Sequence, residues 1–233
     1  MENHLTMHNK SQKNETGSTT DFAYQKIKEL ILRGKLSPGQ KLLYNDLEAR
    51  LHISKTPIIN ALNRLESEGY VYSKKNVGYY IKEINVEEVV QVFEAREILE
   101  VANLDSVIKN QTDIGLRNLE KANYEYKNYD TYLFDRKKSL LNSKFHVQLA
   151  KMGKNGFLIK YIQHIYEWID LRFRFTAVPP ERAKQSAIEH GEIIKSIREK
   201  DITKAKKLLR NHLKAPVPFI INNLKNEEKI LAF

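Results

Sequence analysis

The sequence predicts a mainly α-helical protein with a small N-terminal domain that contains one β-hairpin, followed by an all-α helical bundle. Three observations support this fold class. Residues 70–81 hold two strand-like segments, whereas apolar residues at helical spacing continue from there almost to the C-terminus. Positive charge is concentrated in the first part of the chain. The 233 residues, 41% of them hydrophobic, are enough for two such domains.

The ends of the chain are predicted to carry little structure. Residues 1–20 are polar and lack periodicity, so we expect a disordered tail there. The N-terminal domain is expected over residues 21–84, the helical domain over 85–225 and a loose C-terminus over 226–233. The sequence has no run of about 18 apolar residues and no signal-peptide pattern, so we expect a cytoplasmic protein that does not enter a membrane.

Three helices are predicted in the N-terminal domain. The apolar residues at helical spacing that predict the first helix are Ala23, Ile27, Leu30 and Ile31. Asn45 and Glu48 have the spacing of a capping box, which predicts a short second helix. Ser54 is expected to cap the third helix, with Pro57 in its first turn and Gly69 after its end.

A β-hairpin is predicted directly after the third helix. Alternating residues at 70–72 and 79–81 predict its two strands, and the segment 74–78 between them predicts a basic tip that ends in glycine. Only His52 and Ile53 separate the second and third helices. Three helices, a tight turn before the third, and a hairpin together predict a winged helix-turn-helix.

Six helices are predicted in the second domain, which indicates a bundle. Helical spacing over 89–103 marks a long first helix. The other five are expected at residues 113–126, 131–152, 156–175, 180–199 and 201–214. Pro216 and Pro218 are expected to end the last helix, because proline interrupts helical hydrogen bonding.

The charge distribution points to a polyanionic partner. The chain has 39 Lys and Arg against 29 Asp and Glu, and residues 22–82 alone carry a net charge of +6. A winged helix-turn-helix places the start of its third helix in the DNA major groove and its wing tip against the backbone or minor groove. The candidate contacts with a double-stranded operator are therefore Asn45, Lys55, Thr56, Asn60, Lys74, Lys75, Asn76 and Gly78.

Residues 22–82 resemble the DNA-binding domain of the GntR family of bacterial transcription regulators. The resemblance rests on GKLSPGQKL at 34–42, on LHISKTPIINALNRLESEGYV at 51–71 and on GYYI at 78–81. It implies a homodimer that binds a palindromic operator, since one short helix reads too few base pairs for useful specificity. Two positions depart from the family pattern: Ile59 replaces a common DNA-contacting arginine, and Tyr44 replaces a common glutamate. The operator sequence therefore cannot be carried over.

Three histidines of the helical domain have polar neighbours. Asn142 and His146 are four residues apart and share a helix face, while His190 and His212 lie on two later helices. Imidazoles and oxygen ligands from facing helices can hold zinc, nickel, manganese or iron. From spacing alone, however, a helical histidine is more often a hydrogen-bonded or surface residue, and His164 is interpreted in that way.

The segment after residue 85 resembles the FadR C-terminal ligand-binding domain, abbreviated FCD. The matching positions are Glu94, Ala95, Arg96, Leu99, Glu100, Phe145, His146, Glu189, His190 and His212. The resemblance implies a divalent metal held by the three histidines, with Asn142 in place of the family's aspartate, and a small carboxylate effector beside it. Arg96 is expected to pair with that carboxylate, and a salt bridge within the domain is the alternative.

We therefore expect an effector-responsive transcription regulator, a repressor or an activator, and not an enzyme. The alternative is a three-histidine metalloenzyme, a hydrolase or deaminase acting on a nucleic acid. The HExxH pattern is absent, and a chain with no cysteine cannot form the deaminase PCxxC motif, a thiolate zinc site or a disulfide. A nucleic-acid binder without sequence preference is a third class, which would not need the second domain.

Overall fold

The computed structural model describes residues 18–33, 35–129, 136–172 and 179–231. These residues form ten helices and three strands, which confirms the predicted mainly α fold class. The helices are α1 (Thr19–Leu32), α2 (Tyr44–Leu51), α3 (Lys55–Ser67), α4 (Val86–Lys109), α5 (Asp113–Asn128), α6 (Arg136–Met152), α7 (Gly156–Arg172), α8 (Pro180–Arg198), α9 (Ile202–Lys214) and α10 (Val217–Leu231). The strands are β1 (Lys41–Leu42), β2 (Val71–Lys74) and β3 (Gly78–Ile81).

The first helix begins at Thr19, two residues before the predicted start of the domain at residue 21. Ser18 is its N-cap, and the Ser18 side chain accepts a hydrogen bond from the backbone N–H of Asp21. The Asp21 carboxylate accepts from the Ser18 N–H in return, which completes a capping box. Residues 1–17 of the predicted tail lie outside the described part of the chain.

The N-terminal domain packs α1, α2 and α3 against an antiparallel sheet with strand order β1-β3-β2. The completely buried side chains of its core are Ala23, Ile27, Ile58, Ala61, Leu62, Leu65 and Ile81. Because α3 and the hairpin share this core, packing fixes the position of one relative to the other. Strand β1 was not predicted, since two residues carry no detectable alternation.

The predicted capping box at Asn45 is wrong. The N-cap of α2 is Leu43, two residues before the predicted cap, and it makes no side-chain capping bond, so Asn45 lies in the first turn of the helix and is exposed. His52 ends α2 in the left-handed conformation, with φ of 55°. That turn places α3 across α2 after only two further residues.

The second domain contains one helix more than predicted. Helix α9 ends at Lys214, just before Pro216, as predicted, but a further helix begins at Val217, because a proline in the first turn of α10 gives up only an N–H that has no helical partner. Helix α10 packs on α4 and α7 through the cluster of Val89, Phe93, Ile169 and Ile220. The segment from 226, predicted to be loose, is thus helical to Leu231. No described helix combines the length and apolarity that crossing a membrane requires.

The C-terminal half of α7 joins the two domains. Leu171 belongs to the hydrophobic core of the N-terminal domain, and Trp168 packs against the cores on both sides. One turn away, Glu167 forms an ion pair with Lys28 of α1 at 2.9 Å. The N-terminal domain is therefore attached to a face of the bundle as well as through the connecting segment 82–85.

Two arginines reinforce this attachment. Arg172 of α7, almost fully buried, donates to the Glu83 carbonyl at 2.5 Å and to the Glu88 carboxylate at 2.8 Å. Arg136 of α6 donates to the Ile31 carbonyl at the end of α1 and, through its other terminal nitrogen, to a carbonyl of α7. Since buried cations are costly without partners, these bonds hold the connecting segment and the end of α1 against the bundle.

Asp170 of α7 is buried next to this contact and accepts a hydrogen bond from Ser139 at 2.7 Å. Burial raises the pKa of Asp170 to about 6, above the value of an unfolded aspartate. The free energy that the protonated carboxyl of Asp170 contributes to folding is therefore fully present below about pH 4 and is lost as the pH rises through 6. We expect the free energy of unfolding of Asp170→Asn, relative to wild type, to rise by about 3 kcal/mol between pH 4 and pH 8. Urea unfolding at both pH values measures this, and a constant difference would contradict it.

Candidate DNA interface and histidine cluster

The start of α3 is exposed and lacks a side-chain cap. Ser54 is the N-cap residue, but its side chain makes no capping hydrogen bond, and Pro57 in the first turn has no N–H. The N–H groups of Lys55 and Thr56 have no partner within the helix, and the positive end of the helix dipole lies at the same point. This combination suits a phosphate group.

The predicted contacts on α3 lie together at this end. Lys55, Thr56 and Asn60 are exposed, and Ile59, the departure from the family pattern, is half-buried. The Lys55 ammonium lies over the ring of Tyr44, with 4.8 Å between Nζ and the ring centroid. A basic, exposed helix end therefore faces away from the domain core.

The wing tip carries the second group of predicted contacts. Lys74, Lys75 and Asn76 are exposed, and Lys74 Nζ lies 4.7 Å from the centroid of the Tyr80 ring. Asn76 has φ of 61° and Gly78 has φ of 123°. Gly78 therefore serves the backbone turn of the wing, because other residues rarely adopt that conformation. Contact of these residues with DNA stays a prediction.

The three histidines of the helical domain converge on one point in the bundle. His146 on α6, His190 on α8 and His212 on α9 are all buried. The Nε2 atom of His212 lies 3.1 Å from Nε2 of His146 and 3.2 Å from Nε2 of His190. The structure thus brings together residues that are up to 66 positions apart in the sequence.

The other ring nitrogen of each histidine faces an oxygen atom. The pairs are His146 Nδ1 with Glu100 Oε2 at 2.8 Å, His212 Nδ1 with Glu189 Oε2 at 2.7 Å, and His190 Nδ1 with Asn123 Oδ1 at 3.2 Å. The Asn123 amide is fixed in this orientation because its nitrogen donates to the Ala187 carbonyl. Carboxylate and carbonyl oxygens only accept, so each ring carries its proton on Nδ1. Three Nε2 lone pairs therefore face one another.

Each of the two carboxylates also binds an arginine. Arg96 donates from Nε to Glu100 at 3.2 Å, and Arg182 makes two bonds to Glu189 at 2.9 and 2.6 Å. Burial opposes ionisation of both carboxyls, but contact with a histidine and an arginine holds their pKa values at about 2. Each carboxylate is thus ionised and neutralised by its own arginine.

The chemistry of the three rings fits a divalent metal. Burial lowers the pKa of all three histidines, and that of His212 falls to about 4, so the imidazoles are neutral at pH 7. A metal ligand must be neutral imidazole, and a ligating histidine ordinarily donates its other N–H to an oxygen. Both conditions hold at His146, His190 and His212, for zinc, nickel, manganese or iron alike.

Two predicted site residues lie beside this cluster. Asn142 is half-buried one turn before His146, and in the described residues no hydrogen bond joins its amide to a histidine. Its role as a fourth ligand stays a prediction. Arg96 pairs with Glu100 and also donates to the Tyr166 hydroxyl, so the structure shows the intradomain salt bridge. Its role in effector binding stays a prediction.

The residues that surround the histidines were largely missed by sequence reasoning. Asn123 and Tyr166 were not singled out, and Glu100 and Glu189 were noted only as positions that match the FCD pattern. The one available signal was Arg182, which lies seven residues before Glu189 and hence on the same face of α8. Asn123 lies on another helix, and no spacing within one helix could reveal it.

Two family descriptions match this chain. The description "Bacterial regulatory proteins, gntR family" matches residues 19–81, and "FCD domain" matches residues 91–215, more than half of the sequence. The HTH-type transcriptional repressor GlaR of Escherichia coli (strain K12) is 23% identical over 212 residues, which cover 84% of this chain and 93% of GlaR. The uncharacterized HTH-type transcriptional regulator YdhC of Bacillus subtilis (strain 168) is 25% identical, over 81% of this chain and 85% of YdhC.

Solved structures show the same fold. The E. coli protein McbR/YncC superposes with a TM-score of 0.72 and 17% identity, over 89% of this chain and 99% of that protein. The family matches and the curated relatives are regulators, so they give the alternative of a metalloenzyme no support and confirm the prediction of a regulator that is not an enzyme. The chain belongs to the GntR family of bacterial regulatory proteins, as a DNA-binding transcription regulator with an FCD domain.

Proposed function

We propose that this regulator binds a palindromic operator as a homodimer and that a small carboxylate, bound with a divalent metal at His146, His190 and His212, changes its affinity for DNA. The observation that carries the proposal is the convergence of three Nε2 atoms whose rings keep their protons on Nδ1. Lone pairs so close together in a buried site repel one another unless a cation lies between them. The bound metal would supply positive charge for an anionic ligand.

Charge balance supports a carboxylate as the ligand class. The pairs of Arg96 with Glu100 and of Arg182 with Glu189 are each neutral overall. The three imidazoles are neutral as well, so a divalent ion brings a net charge of about +2 into a buried site. A small anion offsets this charge, and carboxylate oxygens are good ligands for most of the candidate metals.

Helix α7 provides a route from this site to the DNA-binding domain. Tyr166 stacks on the His146 ring, with centroids 5.1 Å apart, and its hydroxyl donates to Glu100. The next residue, Glu167, holds Lys28 of α1, and Leu171 follows one turn later in the core of the DNA-binding domain. A shift of α7 in response to a ligand therefore moves a surface on which the DNA-binding domain rests.

Effector and operator binding are expected to be reciprocally coupled. If the effector weakens operator binding tenfold, about 1.4 kcal/mol, the operator must weaken effector binding tenfold as well. A duplex selected by the protein from a random library serves as operator, and small mono- and dicarboxylates that raise the melting temperature of the metal-loaded protein serve as ligands. Calorimetric titration of the ligand with and without the duplex measures the coupling. Equal dissociation constants of the carboxylate in both titrations would mean that the ligand does not control DNA binding and that the metal has a structural role.

Dimer formation is expected to use exposed apolar residues of α4 and α7, which pack against each other. Ile98 is 61% exposed, Phe157 77% and Tyr161 56%. Burying these apolar side chains against a second copy of the chain would be favourable. We expect Phe157→Glu and Tyr161→Glu to convert the dimer to a monomer in native mass spectrometry. Ile188→Glu on α8, where the side chain is 56% exposed, is the matched control and should remain dimeric. A monomeric wild type would refute the dimer, and dimeric Phe157 and Tyr161 variants would exclude this face.

A further inference from the structure

We propose that Tyr44 is a positioning residue for DNA recognition, which holds the Lys55 ammonium at the exposed start of α3 and so contributes to operator preference. The inference rests on DNA binding, which the family establishes, and does not depend on the metal or the effector. Tyr44 was noted in the sequence only as a departure from the family pattern.

Three elements of the DNA-binding domain meet at the Tyr44 ring. Tyr44 is the first residue of α2, and Lys55 is the first residue of α3, with its Nζ 4.8 Å from the ring centroid. The ring meets Tyr79 of β3 edge to face, with centroids 6.4 Å apart and planes at 78°. Tyr79 is itself fixed, because it is buried and its hydroxyl donates to Asn63 of α3. The Tyr44 ring under the ammonium is therefore held by its own helix, α2, and by Tyr79 of β3.

An aromatic platform differs from an ion pair in what it leaves for DNA. Within the described residues, Lys55 forms no ion pair, so its full charge and its three donor protons remain available. The ring attracts the ammonium through its quadrupole without neutralising it. A glutamate in the same place would pair with Lys55 and would repel phosphate. Tyrosine thus fixes the lysine in advance and retains its positive charge.

Pre-positioning matters because lysine has a long, flexible side chain. Ordering such a side chain on binding costs entropy, and a contact that already restricts it in the free protein reduces this loss. The ring also limits the directions in which the ammonium can point. We therefore expect Tyr44 to affect both affinity and base preference, and to do so only when Lys55 is present.

A double-mutant cycle tests the proposal. The probe is a 30-base-pair duplex that the wild-type protein selects from a random library, and dissociation constants are measured without metal or effector additions at 100–200 mM salt. We expect Tyr44→Leu, which keeps apolar volume but loses the ring, to bind about three- to fivefold more weakly, and Tyr44→Phe to stay within about twofold of wild type. In the Lys55→Ala background, Tyr44→Leu should have no further effect.

Several outcomes would overturn the proposal. Equal losses from Tyr44→Leu with and without Lys55 would mean that Tyr44 acts independently of the lysine. Equal binding by the Phe and Leu variants would mean that the ring only fills space. Melting temperatures of all variants, with Tyr124→Ala of α5 as an exposed-tyrosine control, detect any loss of folding. Repeating the selection with Tyr44→Leu should yield a relaxed base preference at the positions nearest α3, and an unchanged preference would refute the specificity role.

Discussion

Removal of the metal is expected to lower the melting temperature of the protein by about 10 °C. The ion would join three helices through His146, His190 and His212, and a ligand at about a thousand times its dissociation constant stabilises the folded state by about 4 kcal/mol. For a chain of this size, each kcal/mol shifts the melting temperature by about 2–4 °C. Repulsion among the three lone pairs in the metal-free site is one source of that affinity.

Chelation followed by calorimetry measures the effect, and elemental analysis should give one metal per chain. His190→Ala should lose the metal and show the lower melting temperature without chelator, whereas His164→Gln, which changes an exposed histidine of α7, should retain both. Asn142→Asp adds a charged oxygen near His146 and should tighten the metal if Asn142 is a ligand. If the purified protein contained no metal and chelator left its melting temperature unchanged, the three histidines would be buried polar residues of the core and not metal ligands.

Loss of Lys55 is expected to have the largest effect on operator binding. Lys55→Ala should weaken binding by about 1–3 kcal/mol if the lysine contacts a base, because that contact is lost together with the charge. Lys74 and Lys75 lie on the wing tip. Lys74→Ala and Lys75→Ala should each mainly reduce the steepness with which log K falls with the logarithm of the salt concentration, by about one. Affinities measured over a range of salt concentrations separate the two kinds of contact.

Lys184→Ala on α8 is the matched control, since this exposed lysine lies outside the DNA-binding domain. It should leave both the affinity and the salt slope unchanged. If all three variants of the DNA-binding domain bound the selected duplex like wild type at 150–200 mM salt, the assignment of the DNA face to α3 and the wing would fail.

The long helices could be predicted from the sequence, but their termini could not. Apolar periodicity over many turns identifies a helix such as α4 with little ambiguity. Termini depend on single residues: Asn45 with Glu48 has the pattern of a cap, yet the backbone enters α2 at Leu43. Helix α10 was missed for a related reason, since Pro216 and Pro218 are as compatible with the start of a helix as with its end.

The histidine cluster shows a different limit of sequence reasoning. The resemblance identified His146, His190 and His212, because their neighbours in the chain match a family pattern. It did not identify Asn123, which meets His190 from another helix, since contacts between helices depend on packing and leave no trace in local spacing. Arg96 was identified from the sequence, but only the structure shows that it pairs with Glu100.

The way α7 enters the neighbouring domain has a consequence for how such regulators can evolve. Leu171 completes a hydrophobic core that is otherwise built from residues far earlier in the chain, and Trp168 closes its edge. A recombination event that joined residues 18–84 to the bundle of a distant relative would leave that core without its last member unless the end of α7 were exchanged too. A new DNA specificity can therefore be acquired by domain exchange only if two separated segments of the gene are exchanged together. Point changes at Tyr44 or Ile59 need no such exchange.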